Sequence, residues 1–267
     1  MLHRAEPGDT SAGPVLLRDE AGAGTVLLRL NRPAVRNALD SALVDRLLAV
    51  LAELDDDPEV RAVVLAGTPP GFCAGSDLTE LAGLAVTERI RHEARAGQLA
   101  RTLGRLSIPV LAAVEGFAMG GGFLLATSCD IVVSAAGARW QLPEVGLGWV
   151  PPWGLQSLVA RAGPATARRL AWGTEPLTGR QLHRLGAVDE ISEPGRAVRH
   201  ATELAVRLAA LPPHAVASTK RALADAGTGP AESLDSRTSW MFGLDCSSEA
   251  ARRSFARYVR ADRDPGR

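Results

Sequence analysis

Lysine is almost missing from this chain. Of its 30 Lys and Arg residues only Lys220 is a lysine, and 30 Asp and Glu residues bring the formal net charge to zero. A balanced total supplies no overall field to draw in nucleic acid or an anionic membrane, so neither is expected as a partner. Cysteine is scarce: Cys73, Cys129 and Cys246 form an odd set without metal-ligand spacing. That argues against a disulfide framework and for a reduced, cytoplasmic setting. The five histidines, His3, His92, His183, His200 and His214, are scattered with no HExxH-like spacing, so no metal site is expected. No long apolar run is uninterrupted. Residues 108–127 come nearest to a membrane span, but Glu115 and a glycine triplet break them. The opening "MLHRAEPGDTSAGP" has no apolar segment of the kind a signal peptide needs. No low-complexity linker divides the chain either.

What is present is enough for a sizeable core: 267 residues, 46% hydrophobic and 22% charged. "TVLLRL" (25–30) reads as a strand ended by the turn "NRP". From 37 to 54, Leu39, Leu43, Leu47, Val50, Leu51 and Leu54 recur at helical spacing. "VRAVVLAG" (60–67) is a nearly continuous apolar strand, as expected when both sheet faces are covered. After it, Asp77 and Glu80 make a capping-box pattern that opens a short helix. A polar helix over 86–105, a strand at 109–116 and a strand at 131–135 follow, and 139–154 reads as irregular. Helices then dominate, at about 155–162, 164–173, 178–185, 195–210, 213–226 and 230–259 with a break. Alternating strands and helices followed by a helical tail predict an α/β fold, with a core over 1–195 and a helical C-terminal extension over 196–267.

Two stretches share one design. In "VVLAGTPPGFCAGSD" and "LAAVEGFAMGGGF" an apolar strand ends, a glycine-containing loop follows and a helix begins. Helix N-termini leave backbone N–H groups unpaired. Two such ends facing each other would offer two donors to one oxygen, the arrangement that stabilises an oxyanion or enolate. The glycines would then clear side chains from the path of a carbonyl; tight packing alone is the competing explanation. A third stretch, "LPEVGLGWVPPWG", sets Glu144 among Leu142, Val145, Leu147, Trp149 and Trp153. Desolvation there would raise its pKa and make it a better general base near neutral pH. A capping or surface glutamate is the plainer alternative.

With "LNRPAVRNAL", "GFCAGSDL", "GFAMGGGFLLATSCDI", "LPEVGLGWVPPWG", "LTGRQLHRLGAVDEI" and "LPPHAVASTKRAL" in this order and spacing, the sequence resembles the crotonase superfamily, the enoyl-CoA hydratases and isomerases, over nearly its whole length. The resemblance implies a spiral of ββα units around two sheets, with C-terminal helices that assemble a homotrimer or a dimer of trimers. It implies an acyl-CoA substrate, with no cofactor beyond its coenzyme A. By position, the backbone amides of Ser76 and Gly121 would form the oxyanion hole and Glu144 would be the catalytic carboxyl. Arg36, Ala38, Ala74, Asp77 and Leu78 would line the CoA channel, and Phe117, Leu124, Trp149 and Trp153 the acyl pocket. By the same resemblance Arg257, Arg260 or Arg263 would reach the CoA phosphates of a neighbouring subunit, with a plain solvated tail as the alternative. His92 could border the acyl pocket, although a solvated helix face is the reading its polar helix favours.

One departure redirects the expected chemistry. Hydratases of this superfamily carry a glutamate where this chain has Leu124, and leucine can neither hold a water nor carry a proton. A lone Glu144 suffices for moving a double bond, so isomerisation of a 3-enoyl-CoA to a 2-enoyl-CoA is expected. The alternatives are hydration or another reaction of the superfamily (decarboxylation, thioester hydrolysis, a lyase step) and, from a different class, a non-catalytic binding or scaffolding protein.

Overall fold

The computed structural model describes residues 13–173, 175–227 and 231–261. Two strands at the start, β1 (Leu16–Glu20) and β2 (Thr25–Leu30), form a hairpin, and α1 (Ser41–Asp56) returns the chain to the parallel strand β3 (Ala62–Gly67). Next come α2 (Leu78–Gly83), α3 (Val86–Arg105), β4 (Val110–Val114), β5 (Phe117–Met119) and α4 (Gly121–Thr127). Then follow β6 (Ile131–Ala135), β7 (Arg139–Gln141), the one-turn α5 (Glu144–Leu147), α6 (Leu155–Ala171), β8 (Leu177–Thr178), α7 (Gly179–Arg184) and β9 (Glu190–Ser192). Four helices close the chain: α8 (Ala197–Ala209), α9 (Pro213–Gly227), α10 (Ala231–Asp245) and α11 (Glu249–Ala261).

The larger sheet runs β1-β2-β3-β4-β6-β9, parallel throughout except for the β1–β2 hairpin; the smaller runs β5-β7-β8. Each turn of the chain adds a strand to the large sheet and, from β5 onward, a short strand to the small one. This is the expected spiral around two sheets. β3 and β4 are buried along almost their whole length, as parallel strands covered on both faces must be. One face packs against α1, α3 and α4 in the main core. The other meets α8, whose Ala197, Ala201, Ala205 and Ala209 form a flat stripe over Leu27, Val64, Leu111 and Val133. The helical extension expected from residue 196 therefore begins with a helix that is part of the core.

Several boundaries shift for local reasons. The first long helix starts at Ser41 rather than 37, because the Asp40 side chain caps it by accepting from Leu43 N at 2.8 Å. Asn37 sits just before it with φ +57° and fully buried. Its side chain accepts from Arg32 N and donates to Thr68 O and Gly71 O, which ties this turn to the loop after β3. Asp77 does cap α2, accepting from Thr79 N and Glu80 N. Glu80, however, does not complete a capping box: its carboxylate binds Ser41 N at 3.0 Å and Ser41 Oγ at 2.6 Å. The break expected inside the segment after 155 falls at Gly163 and Pro164. β1 and β9 carry no strong alternation and were not foreseen.

Candidate active site

The two glycine loops meet. Gly75 precedes Ser76 at φ +94°, and a Cβ built on it would stand 2.9 Å from Gly121 N. A Cβ on Gly121 would in turn stand 3.4 Å from Ser76 N and 3.5 Å from Ser76 Oγ. Among the described residues, the N–H groups of Ser76 and Gly121 donate to no backbone carbonyl and to no side chain. Backbone donors away from solvent are nearly always paired, so two unpaired neighbours mark a place waiting for an acceptor. The helices behind them, α2 and α4, are six and seven residues long. The donors themselves, rather than long helix dipoles, give the place its preference for an oxygen.

The glycine triplet has three separate reasons. At Gly120, with φ +52°, a side chain would strike Glu144 Oε1 at 2.9 Å. At Gly121 it would crowd Trp153 Cζ2 at 3.0 Å as well as Ser76. At Gly122 it would overlap Cys73 O at 2.4 Å. Close approach is what the bare backbone permits. Glu144 stands at the first position of α5, buried, and its Oε2 has no hydrogen-bond partner among the described residues. Burial pushes its pKa up from 4.5 to about 8, opposed by its own backbone N–H and raised a little further by the charge of Glu93. The arrangement is thus a carboxyl of near-neutral pKa beside a pair of free amides. It can stabilise a negative oxygen while exchanging a proton with a neighbouring carbon.

The remaining expected residues separate into two groups. Leu124, wholly buried on α4, packs against the turn at Gly154, and Trp153 lies against Gly121. Asp77 caps α2 and pairs with Arg32, which also pairs with Asp40. Ala38 is buried, Ala74 half-buried with its N–H donating to Arg36 O, and the Arg36 side chain is exposed. Phe117 covers Gly71, supporting the loop ahead of Ser76. Trp149 departs from its expected place in the acyl wall. Its ring stacks on Phe255 at 4.9 Å and meets Phe242 edge-on, within a cluster that seats α10 and α11 on α2 and includes Leu78. Trp140 is core, edge-on to Phe123 with its N–H on Ser134 Oγ. Arg257 is exposed on α11; the side chain of Arg260, and Arg263 altogether, lie outside the described residues, as does His3. Among the described residues no group of three or more His, Cys, Asp and Glu could hold a metal ion.

His92 is not on a solvated face. It is buried, with neither ring nitrogen hydrogen-bonded among the described residues, its Nε2 3.6 Å from Glu80 Oε2 and its Nδ1 3.9 Å from Glu93 Oε1. It lines a cavity of about 370 Å³ between α1, α2 and α3, shared with Ser41, Asp45, Glu88 and Arg95. Glu93 was not foreseen at all. Its carboxylate is buried and accepts from Trp153 Nε1 at 2.7 Å, and the Ser76 hydroxyl and His92 also favour its charged form. Burial outweighs them and raises its pKa. The signal was its place on α3: Glu93, Ala96, Ala100 and Leu103 recur at helical spacing on the buried stripe.

These features agree with what the chain is similar to. A family model described as enoyl-CoA hydratase/isomerase matches residues 20–262, and the chain belongs to this family. It is 35% identical over 211 residues to a short-chain-enoyl-CoA hydratase of Clostridium acetobutylicum, covering 78% of this chain and 80% of that one. It is also 35% identical over 199 residues to a 2,3-dehydroadipyl-CoA hydratase of Escherichia coli, covering 74% and 77%. A crystal structure of an enoyl-CoA hydratase/isomerase from Mycobacterium paratuberculosis superposes with a TM-score of 0.81 at 27% identity, over 92% of this chain and 99% of that one. The fold is that of the superfamily.

Proposed function

We propose that this protein binds an acyl-CoA and stabilises the enolate of its thioester, moving a double bond from the 3- to the 2-position of an enoyl chain. In this reading Ser76 N and Gly121 N hold the thioester oxygen while the Glu144 carboxylate removes a proton from C2. The electron pair of that C–H bond spreads through the thioester carbonyl and the C3–C4 double bond, giving a dienolate. The carboxylic acid so formed returns the proton to C4, and the double bond comes to rest between C2 and C3. No water enters, and wholly buried Leu124 fits that requirement. Arg36, Ala38, Ala74, Asp77 and Leu78 would flank the CoA moiety, and Phe117, Leu124 and Trp153 would support the acyl end.

The observation that carries the reading is Glu144 Oε2, buried without a partner next to two unpaired amides. A carboxyl group placed for structure would have its oxygens satisfied. Hydration is the second reading, favoured by the names of the relatives and by the second buried carboxylate, Glu93. Purified protein given a 3-enoyl-CoA separates the two. Growth of the conjugated-thioester absorbance is the expected result. Loss of that absorbance from a 2-enoyl-CoA, with no response to the 3-enoyl isomer, would overturn isomerisation in favour of hydration.

A further inference from the structure

The open side of Gly121 is bounded by two neighbours: the six-membered edge of Trp153, and Ser76 through both its N–H and its hydroxyl. Both lead to one group. Glu93 receives the Trp153 indole N–H at 2.7 Å, and the Ser76 hydroxyl favours its charged form. We propose that Glu93 is the positioning residue of the two-amide site, holding Trp153 and Ser76 so that the N–H groups of Ser76 and Gly121 converge on one oxygen. The inference rests on the acyl-CoA reading above and deepens it.

The scaffold is suited to the task. Glu93 sits two turns into α3, a 20-residue helix that packs on α1 and α10. One turn further, Gly97 leaves room for the Trp153 Cβ, where a side chain would approach to 3.0 Å. The indole is thus gripped at both ends, by contact at its Cβ and by a hydrogen bond at its nitrogen. A carboxylate has several acceptor sites, so it can take the indole N–H and the hydroxyl together. The loop bearing Ser76 and the turn bearing Trp153 are far apart in sequence, and Glu93 is the side chain common to both. His92 is set between Glu93 and Glu80, its Nδ1 3.9 Å from Glu93 Oε1 and its Nε2 3.6 Å from Glu80 Oε2.

A positioning role and a proton-transfer role predict opposite behaviour for Glu93→Gln, which keeps an acceptor for the indole and loses the titrating proton. Two readouts are used: isomerisation of a 3-enoyl-CoA, and the enolate absorbance of a bound 3-ketoacyl-CoA, which reports the two amides without requiring turnover. The expected result for Glu93→Leu is a kcat lower by about 100-fold, the order of one lost oxyanion donor, with KM little changed and the enolate band gone. Glu93→Gln is expected to keep most of both. Should Glu93→Leu fail to fold, Trp153→Phe, which keeps the ring and removes the N–H, is expected to lower kcat and weaken the band with KM unchanged. The proposal is overturned if Glu93→Leu, or Trp153→Phe in its place, matches the parent in kcat and band, or if Glu93→Gln is as inactive as Glu93→Leu. A parent protein that gives neither turnover nor band overturns the acyl-CoA reading itself, an outcome visible before any variant is compared.

Discussion

Replacing Glu144 by glutamine tests the central electrostatic claim without reference to any substrate. In the folded protein this carboxyl holds its proton up to about pH 8, against 4.5 for an ordinary one. Between those values the unfolded chain is ionised and the folded chain is not, so unfolding releases a proton and stability falls as pH rises. The slope approaches about 1.4 kcal/mol per pH unit, and across the window the whole penalty is about 5 kcal/mol. Above pH 8 both states are ionised and the slope from this group vanishes. Glutamine has no proton to release, so Glu144→Gln should gain roughly 3–5 kcal/mol relative to the parent between pH 5 and pH 8. Urea unfolding followed by tryptophan fluorescence, at one fixed protein concentration across that range, measures the difference directly. Glu93 is shifted upward too, so the variant keeps part of the parent's slope; the contrast between the two proteins is the signal. The same ionisation should set activity, with kcat/KM of the parent rising toward pH 8 and that of the variant at least about 100-fold lower and flat. Parallel stability curves for parent and variant would show that Glu144 is an ordinary carboxyl, and the reasoning would fail.

Other outcomes follow from the same geometry. Gly120→Ala forces a methyl group to 2.9 Å from Glu144 Oε1 at a positive φ; it should cost about 1–3 kcal/mol in urea unfolding, and an unchanged kcat would count against the site. Leu124→Glu restores the acid that hydratases of the superfamily carry, so water addition to a 2-enoyl-CoA should rise above the parent's at some cost in stability; no gain would show that Leu124 alone does not exclude hydration. Lys220→Met leaves Asp130 without its buried partner and two carbonyl oxygens, of Leu103 and Ile108, without their donor. It should destabilise by about 3–5 kcal/mol in thermal or urea unfolding. Cys73 and Cys129, whose thiols burial pushes up to about 12, should react with a thiol reagent only after denaturant is added.

What the sequence revealed depended on whether local chemistry or distant packing set the outcome. The polar helix over 86–105 and its two ends could be read because periodicity and a proline-free run of helix formers act locally. Asp77 as a cap, the glycine loops and Glu144 were legible for the same reason. Glu93 and His92 were hidden by the very polarity that marked their helix as solvated. Nothing nearby in sequence says that Trp153, 60 residues on, will turn its N–H toward one of them. Trp149 was misplaced because closeness to Glu144 along the chain was taken for closeness in space, whereas α10 and α11 fold back to claim its ring. Asn37 escaped notice because its role is to join two loops through three backbone groups.

The single lysine has a chemical consequence. Activated thioesters acylate free amines without any catalyst, and a protein that keeps company with them modifies itself wherever an ε-amine is within reach. Here the only such amine, Lys220 on α9, is buried and fastened to Asp130. The exterior positive charge rests on guanidinium groups, which do not take up acyl groups under those conditions. Prolonged incubation with an acyl-CoA, followed by peptide mass spectrometry, should leave Lys220 unmodified.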